Sequence, residues 1–372
     1  MSSPAPPSAP AEAGDDAAAG QSPLAVIASA EETSWISWLK FAAIVGVVGI
    51  HTSGVIAGAK NARESNVGLF ALFLDLLAIC AVPVFVMVSG ALVLDPKRFH
   101  GTSDFLRRRA IRLIPAIIFW NAFYLCFALT FEGKDVTSAD ALKLLFTGKL
   151  QVQLYYLWIA LGLALMAPIF IKWIGRSSPA EVLGYGAALA MLPILTMVTM
   201  RLRGASIAWI ETPWTWWFFY LGLFILGWRL RGVRVPTWMV IPTIGIGLTI
   251  AWQFRNPTVP ALINTLFPVS YYGPVVIGYS LLVFLTAHSL LRPDGILGFT
   301  SRGRLRQVGR SLGDATLGVF GIHIAVLLVL REFWPAKDLG IAGLLAQIAI
   351  VVAVSYAIVL PLRRVPIINR VL

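Results

Sequence analysis

Six side chains in largely apolar surroundings carry the chemistry this chain can do: Lys40, His51, Asp75, Arg109, Arg112 and His323. An ionisable group placed in hydrocarbon raises the insertion free energy by roughly 2.5–3.5 kcal/mol, so each is a functional candidate by default. Lys40 and His51 stand eleven residues apart in SWLKFAAIVGVVGIHTSG. On a helix that is three turns plus about 20°, which puts both on one face about 16 Å apart along the axis. Imidazole titrates near neutrality, so His51 is a natural general base. Asp75 lies in LFALFLDLLAICAVPVFVMVSG. If that run returns antiparallel, Asp75 is 19 residues from its end at 94, and His51 is 16 residues from its start at 35. Similar depth permits a His–Asp pair in which the carboxylate fixes the imidazole tautomer. Arg109 and Arg112, in FLRRRAIRLIPA, are i,i+3 neighbours on one helical face. Guanidinium groups at that spacing suit phosphate oxygens through bidentate, charge-assisted bonds. His323 falls in the middle of LGVFGIHIAVLL. Each residue also has an ordinary reading that the residues leave open: a snorkelling lysine, a packing histidine, an acid bonded to another helix, a positive anchor beside the membrane, a satisfied interior histidine.

The elements that must position these groups are read from composition. Of 372 residues, 58% are apolar and only 13% charged, about half the charge of a soluble domain. That excludes a soluble globular enzyme, a secreted disulfide scaffold and a disordered protein. Apolar runs are expected near 36–55, 67–94, 111–131, 152–173, 181–200, 214–229, 236–253, 269–290, 314–334 and 340–361. Backbone groups in lipid have no water to bond, so the runs read as transmembrane helices, about ten of them, in an all-α polytopic membrane protein. The sixth and seventh are short, and the second is long, with a kink expected at Pro83. Residues 1–34 hold five acids and no Lys or Arg amid Ala, Pro, Ser and Gly, and read as a disordered cytoplasmic tail. Residues 35–372 read as one transmembrane domain.

The net charge of +12 points to lipid headgroups and topology rather than to nucleic acid. Of the thirty Lys and Arg, nineteen fall in 95–112, 172–180, 229–235, 291–312 and 362–372, and ten in the alternate connections. The positive-inside rule then predicts both termini in the cytoplasm. A second basic cluster, Arg302, Arg304, Arg306 and Arg310, fits the same rule or lipid contact. Cys80 and Cys126 sit alone inside apolar runs and read as packing residues, and no metal-ligand spacing is present. Phosphate-binding loops, dinucleotide fingerprints and nucleophile elbows are missing as well. The longest expected connection, 291–312, leaves no room for a hidden soluble domain, so chemistry must occur on the spans or at their mouths.

The order of motifs resembles the acyltransferase-3 family of integral membrane acyltransferases. That pattern opens with Arg, ten residues and His in the first span, here Lys40 and His51. The second span ends in V-P-x-F-x-x-x-S-G, matched by Val82-Pro83-Val84-Phe85 and Ser89-Gly90. An R-x-x-R motif and a proline follow, matched by Arg109, Arg112 and Pro115, with Phe119-Trp120 behind them. His-Leu-Trp opens the fourth span, here Tyr156-Leu157-Trp158 with Pro168 later. G-I-Y-x-x-H in the ninth is echoed by Gly318, Phe320 and His323, and the tail VSYAIVLPLRRVPIINRVL resembles the last span and exit. The resemblance covers about residues 35–372. Lys40, Ser37 and Tyr156 depart from the usual Arg, Asp and His.

The resemblance implies acyl transfer from a cytoplasmic acyl-CoA, acetyl-CoA above all, to a hydroxyl of a carbohydrate acceptor. The expected setting is a bacterial inner membrane. The acceptor expected is an exopolysaccharide of cellulose, xanthan or succinoglycan type, or an O-antigen. No tightly bound cofactor is expected. Expected partners are acyl-CoA, the glycan, membrane lipids and a glycan synthase complex. In this reading Lys40, Arg109 and Arg112 hold donor phosphates. His51 acts as general base or carries the acyl group, Asp75 orients it, and His323 binds acceptor or protonates the leaving thiolate. The competing class is a polysaccharide or acyl-group exporter without transferase activity, in which the buried His, Asp and Lys would gate or relay protons.

Overall fold

The computed structural model describes residues 23–133, 136–148, 150–205, 212–255 and 259–372. No strand occurs among the described residues. The α-helices in chain order are α1 (Pro23–Ala57), α2 (Asn66–Leu77), α3 (Ala81–Val93), α4 (Thr102–Thr130), α5 (Ser138–Thr147), α6 (Tyr155–Ile174), α7 (Pro179–Leu202) and α8 (Trp216–Phe219). They continue with α9 (Leu221–Leu230), α10 (Val240–Arg255), α11 (Ala261–Leu266), α12 (Pro274–Leu291), α13 (Gly303–Asp314), α14 (Thr316–Phe333) and α15 (Ile341–Leu362).

Among the described residues eight stretches are long and apolar enough to cross a membrane, counting α2 and α3 as one, against the ten expected. The shortfall is the sixth and seventh runs. The sixth is broken at Tyr220 into α8 and the ten-residue α9, and the seventh is the 16-residue α10. Helix α9 is short because it is wrapped by protein, not lipid. A Cβ on Gly90 of α3 would collide with the Phe224 carbonyl, one on Gly227 with the Met87 carbonyl, and one on Gly222 with the Ala190 backbone. Backbones brought this close by small residues bury the whole middle of α9 between α3 and α7. A helix break at membrane depth is tolerated where protein or a cavity covers it, and Tyr220 is buried at a cavity wall.

The second run breaks three residues ahead of the expected kink. Pro83 has no N–H for the Ile79 carbonyl, and its ring would press on that carbonyl, so α2 stops at Leu77 and α3 restarts at Ala81. The carbonyl of Leu77 receives the Tyr279 hydroxyl at 3.2 Å, which keeps the break satisfied.

Residues 23–34, read above as part of the tail, are helical. Helix α1 starts at Pro23, twelve residues before Trp35. Once a long helix exists, adding residues at its end escapes the nucleation penalty, and proline suits a first helical position. Polarity therefore did not keep this segment out of the helix. The remainder of the expected tail, 1–22, lies outside the described residues.

Helix α1 is the hub, packed on α2, α3, α12, α13, α14 and α15. At its near end Ser34 is bonded to Ser301 at 2.6 Å, and Trp35 meets Phe284 and His288 edge-on at 5.2 and 4.9 Å. The connections rich in Arg gather at that same end. Arg231 reaches Asp95 at 3.7 Å, and Arg234 and Arg292 both reach Asp294, at 3.8 and 3.1 Å. This is called the basic end below.

Candidate active site

Two cavities lie end to end inside the bundle. The first opens at the basic end and holds about 380 Å³. Lys40 from α1, Arg109 and Arg112 from α4, and Asp314 from α13 line it together with Ser89 and Tyr156. The i,i+3 spacing of the two arginines does place both on one wall, as the helical repeat requires. Arg109 also lies over the Phe105 ring at 5.3 Å, a contact that holds the guanidinium in place. Arg109 and Arg112 line a further cavity of about 390 Å³ on the outer side of the same mouth. There Arg98, His100 and Arg108 join them. Those three were not singled out for the site. Arg98 and His100 lie in the connection after α3, where one loop residue cannot be told from another without the fold.

The second cavity holds about 1000 Å³ and contains His51. Its walls carry Gln153, Tyr155, Arg201, Trp216, Tyr220, Ser270, Tyr271 and Tyr272. The rings brace one another: Tyr155 meets Trp216 edge-on at 5.7 Å and Tyr220 meets Tyr272 at 5.6 Å. Tyr271 lies in the connection before α12. Burial, and after it the charge of Asp75, pushes its phenol up to about 12, so it stays protonated and can donate. None of these residues was singled out as a site candidate from sequence. The inward placement of Tyr155 and Trp216 depends on the break at Tyr220 and on the loop after α11.

His323 of α14 is wholly buried, and its ring centroid lies 5.3 Å from that of His51. Its Nδ1 lies 3.1 Å from the Val319 carbonyl and 2.8 Å from the Phe320 carbonyl. Carbonyls only accept, so Nδ1 carries the hydrogen and Nε2 holds a lone pair. That Nε2 finds no hydrogen-bond partner among the described residues.

Asp75 does not pair with His51. No hydrogen bond joins them, and the Asp75 carboxylate instead lies 4.0 Å from where a Cβ on Gly54 would stand, with Tyr271 nearby. The residue count explains the miss. Asp75 is three residues deeper than His51, about one helical turn, and three residues beyond His51 is Gly54. What does reach α1 at His51 is Arg331, near the end of α14. Its guanidinium donates to the carbonyls of His51 and Thr52, at 3.4 and 3.0 Å. In the sequence Arg331 is one of the scattered positive residues of the less basic side, and nothing distinguishes it there.

Thus five of the six candidates meet in the two chambers or beside them. Lys40, Arg109 and Arg112 line one, His51 lines the other, and His323 stands behind His51. Asp75 stands a turn away. Among the described residues no cluster of three or more His, Cys, Asp or Glu has metal-binding geometry.

An arrangement of clustered cations at one mouth and an imidazole in an enclosed chamber beyond it suits a reaction that anchors an anionic substrate at a distance from its reacting end. Comparison with known proteins agrees in kind. A family model described as an acyltransferase domain matches residues 33–363. No curated protein and no solved structure matches the chain. The match spans nearly all of the membrane-embedded helices and both cavities, and on it the chain belongs to the acyltransferase-3 family of membrane acyltransferases.

Proposed function

We propose that this protein moves an acyl group, acetyl foremost, from acyl-CoA to a hydroxyl of an exported or cell-surface polysaccharide. In this reading it lies in a bacterial inner membrane with the basic end and both termini in the cytoplasm, as the bias of Lys and Arg favours. The observation that carries the proposal is the division of labour between the chambers. Lys40, Arg109 and Arg112 converge on the cavity at the basic end, and His51 waits in the cavity beyond it. The phosphates of CoA match the arginines in charge and geometry, and the thioester arm extends toward His51. The acceptor enters the larger chamber from the opposite side, where Tyr, Trp, Gln and Ser side chains suit a ligand bearing many hydroxyls.

In the transfer step His51 takes the proton of the acceptor hydroxyl as its oxygen attacks the thioester carbonyl. The carbon–sulfur bond then breaks, and the thiolate leaves with the proton held on His51. His323 is the positioning residue. Its ring lies 5.3 Å from that of His51, and its Nε2 lone pair, left free by the backbone bonds of Nδ1, is available to accept an N–H of His51 once donor and acceptor are bound. His323 takes the part that Asp75 was expected to play.

The test is transfer of radiolabel from acetyl-CoA in proteoliposomes holding the purified protein and a glycan-rich membrane extract. A base-labile labelled ester is expected, and His51→Ala, correctly inserted, forms it at least about a hundredfold more slowly. Movement of glycan across the bilayer without ester formation would identify an exporter instead.

A further inference from the structure

The two chambers are divided at one level on three helices. On α3, Val82 lines the histidine chamber, and Phe85, one turn on, lines the basic one. On α6 the divide falls between Tyr155 and Tyr156. On α14, Phe320 lines both. The ring of Tyr156 lies 5.3 Å from Phe320 and 5.9 Å from Phe85, so three aromatic rings stand between Lys40 and His51. The backbone that carries Phe320 has no slack. The Trp120 indole occupies the place of a Cβ on Gly321, and Val359 crowds the same place on Gly318.

We infer that Phe320 and Tyr156 form a neck that sets the length of the acyl group this protein transfers. The inference rests on the acyl-transfer reading above. A donor held by its phosphates at Arg109 and Arg112 must bring its acyl end to the neck first. Acetyl presents a single methyl to the rings. A longer chain must thread its whole length past the same rings before the thioester carbonyl reaches His51, and overfilling a packed site is unfavourable. A pocket separates substrates that differ by one methylene by about 10- to 200-fold.

The experiment compares acetyl-, butyryl- and hexanoyl-CoA in proteoliposomes with the membrane glycan extract, reading kcat/KM from CoA release. The wild type is expected to favour acetyl over butyryl by about tenfold or more. Phe320→Ala should shrink that ratio at least tenfold, Phe320→Leu part of the way, and Tyr156→Ala in the same direction. Tyr156→Phe keeps the ring and should keep the ratio. If Phe320→Ala does not fold, as judged by its unfolding temperature, the Leu variant and Tyr156→Ala carry the test. A wild type indifferent to chain length overturns the neck, as do folded variants with an unchanged ratio. In both cases His51-dependent acetyl transfer survives. If no acyl-CoA is turned over in a His51-dependent way, the acyl-transfer reading falls and the neck with it.

Discussion

The basic chamber and the histidine chamber are built by different rules. The first is made of charges on neighbouring turns of α4, joined by Lys40 from α1. Its character follows from side chains that are strong at any register: a guanidinium attracts phosphate wherever it is held near one. The second is made of single residues from α1 and α6, the loops after α5 and α11, and the break between α8 and α9, with α14 behind them. Its character depends on which nitrogen of which ring faces which neighbour. Binding tolerates approximate placement, whereas proton transfer does not, and in the proposed function the two chambers divide those tasks along α1.

Substitutions on either side should separate accordingly. The largest effect belongs to His51→Ala, with kcat for ester formation down by about 10²–10⁴ and acetyl-CoA affinity by calorimetry unchanged. A loss of donor affinity in that variant would break the distinction between the chambers. Next come Arg109→Gln and Arg112→Gln together. Each removes a charge-assisted contact of about 1.5–3 kcal/mol, so the donor KM should rise by about two to four orders of magnitude with kcat little changed. His323→Phe, which removes the Nε2 lone pair, should lower kcat by about tenfold and leave both KM values in place. His323→Gln, which retains an acceptor, should recover part of that loss. The smallest effect is expected of Asp75→Asn, within about threefold of wild type in steady-state transfer, because its carboxylate faces Gly54, a turn away from His51, whose ring neighbour is His323. A loss in Asp75→Asn as large as that in His51→Ala would restore the carboxylate as the orienting group.

Much of the fold was legible in the residues. Hydrocarbon admits only backbone that satisfies itself, so apolar runs of sufficient length had to be helices, and eight of the ten are long enough to cross. The two exceptions show the limit of that logic. Helix α9 is as apolar as its neighbours yet short, because Gly90, Gly222 and Gly227 let it pack between other helices instead of against lipid. Composition does not distinguish a helix buried in protein from one buried in lipid. The Arg109–Arg112 wall was legible for a similar reason, since a spacing of three within one helix needs no partner to be interpreted.

The pairing of His51 was not legible. Counting residues from helix ends placed Asp75 within one turn of it, and one turn separates a hydrogen bond from none. The break at residues 78–80 and the contacts of α1 set that offset, and neither is a local property of the run containing Asp75. His323 and Arg331 reach α1 from far along the chain, through the packing of α14. Sequence by itself determined the class of protein, the number of apolar runs, the basic end and the presence of an imidazole on the same face as Lys40, because these follow from composition and the helical repeat. Tertiary structure alone decided that His323 rather than Asp75 meets His51, and that Phe85, Tyr156 and Phe320 stand between the chambers. Relative depth and rotation of separate helices are fixed only when their surfaces pack.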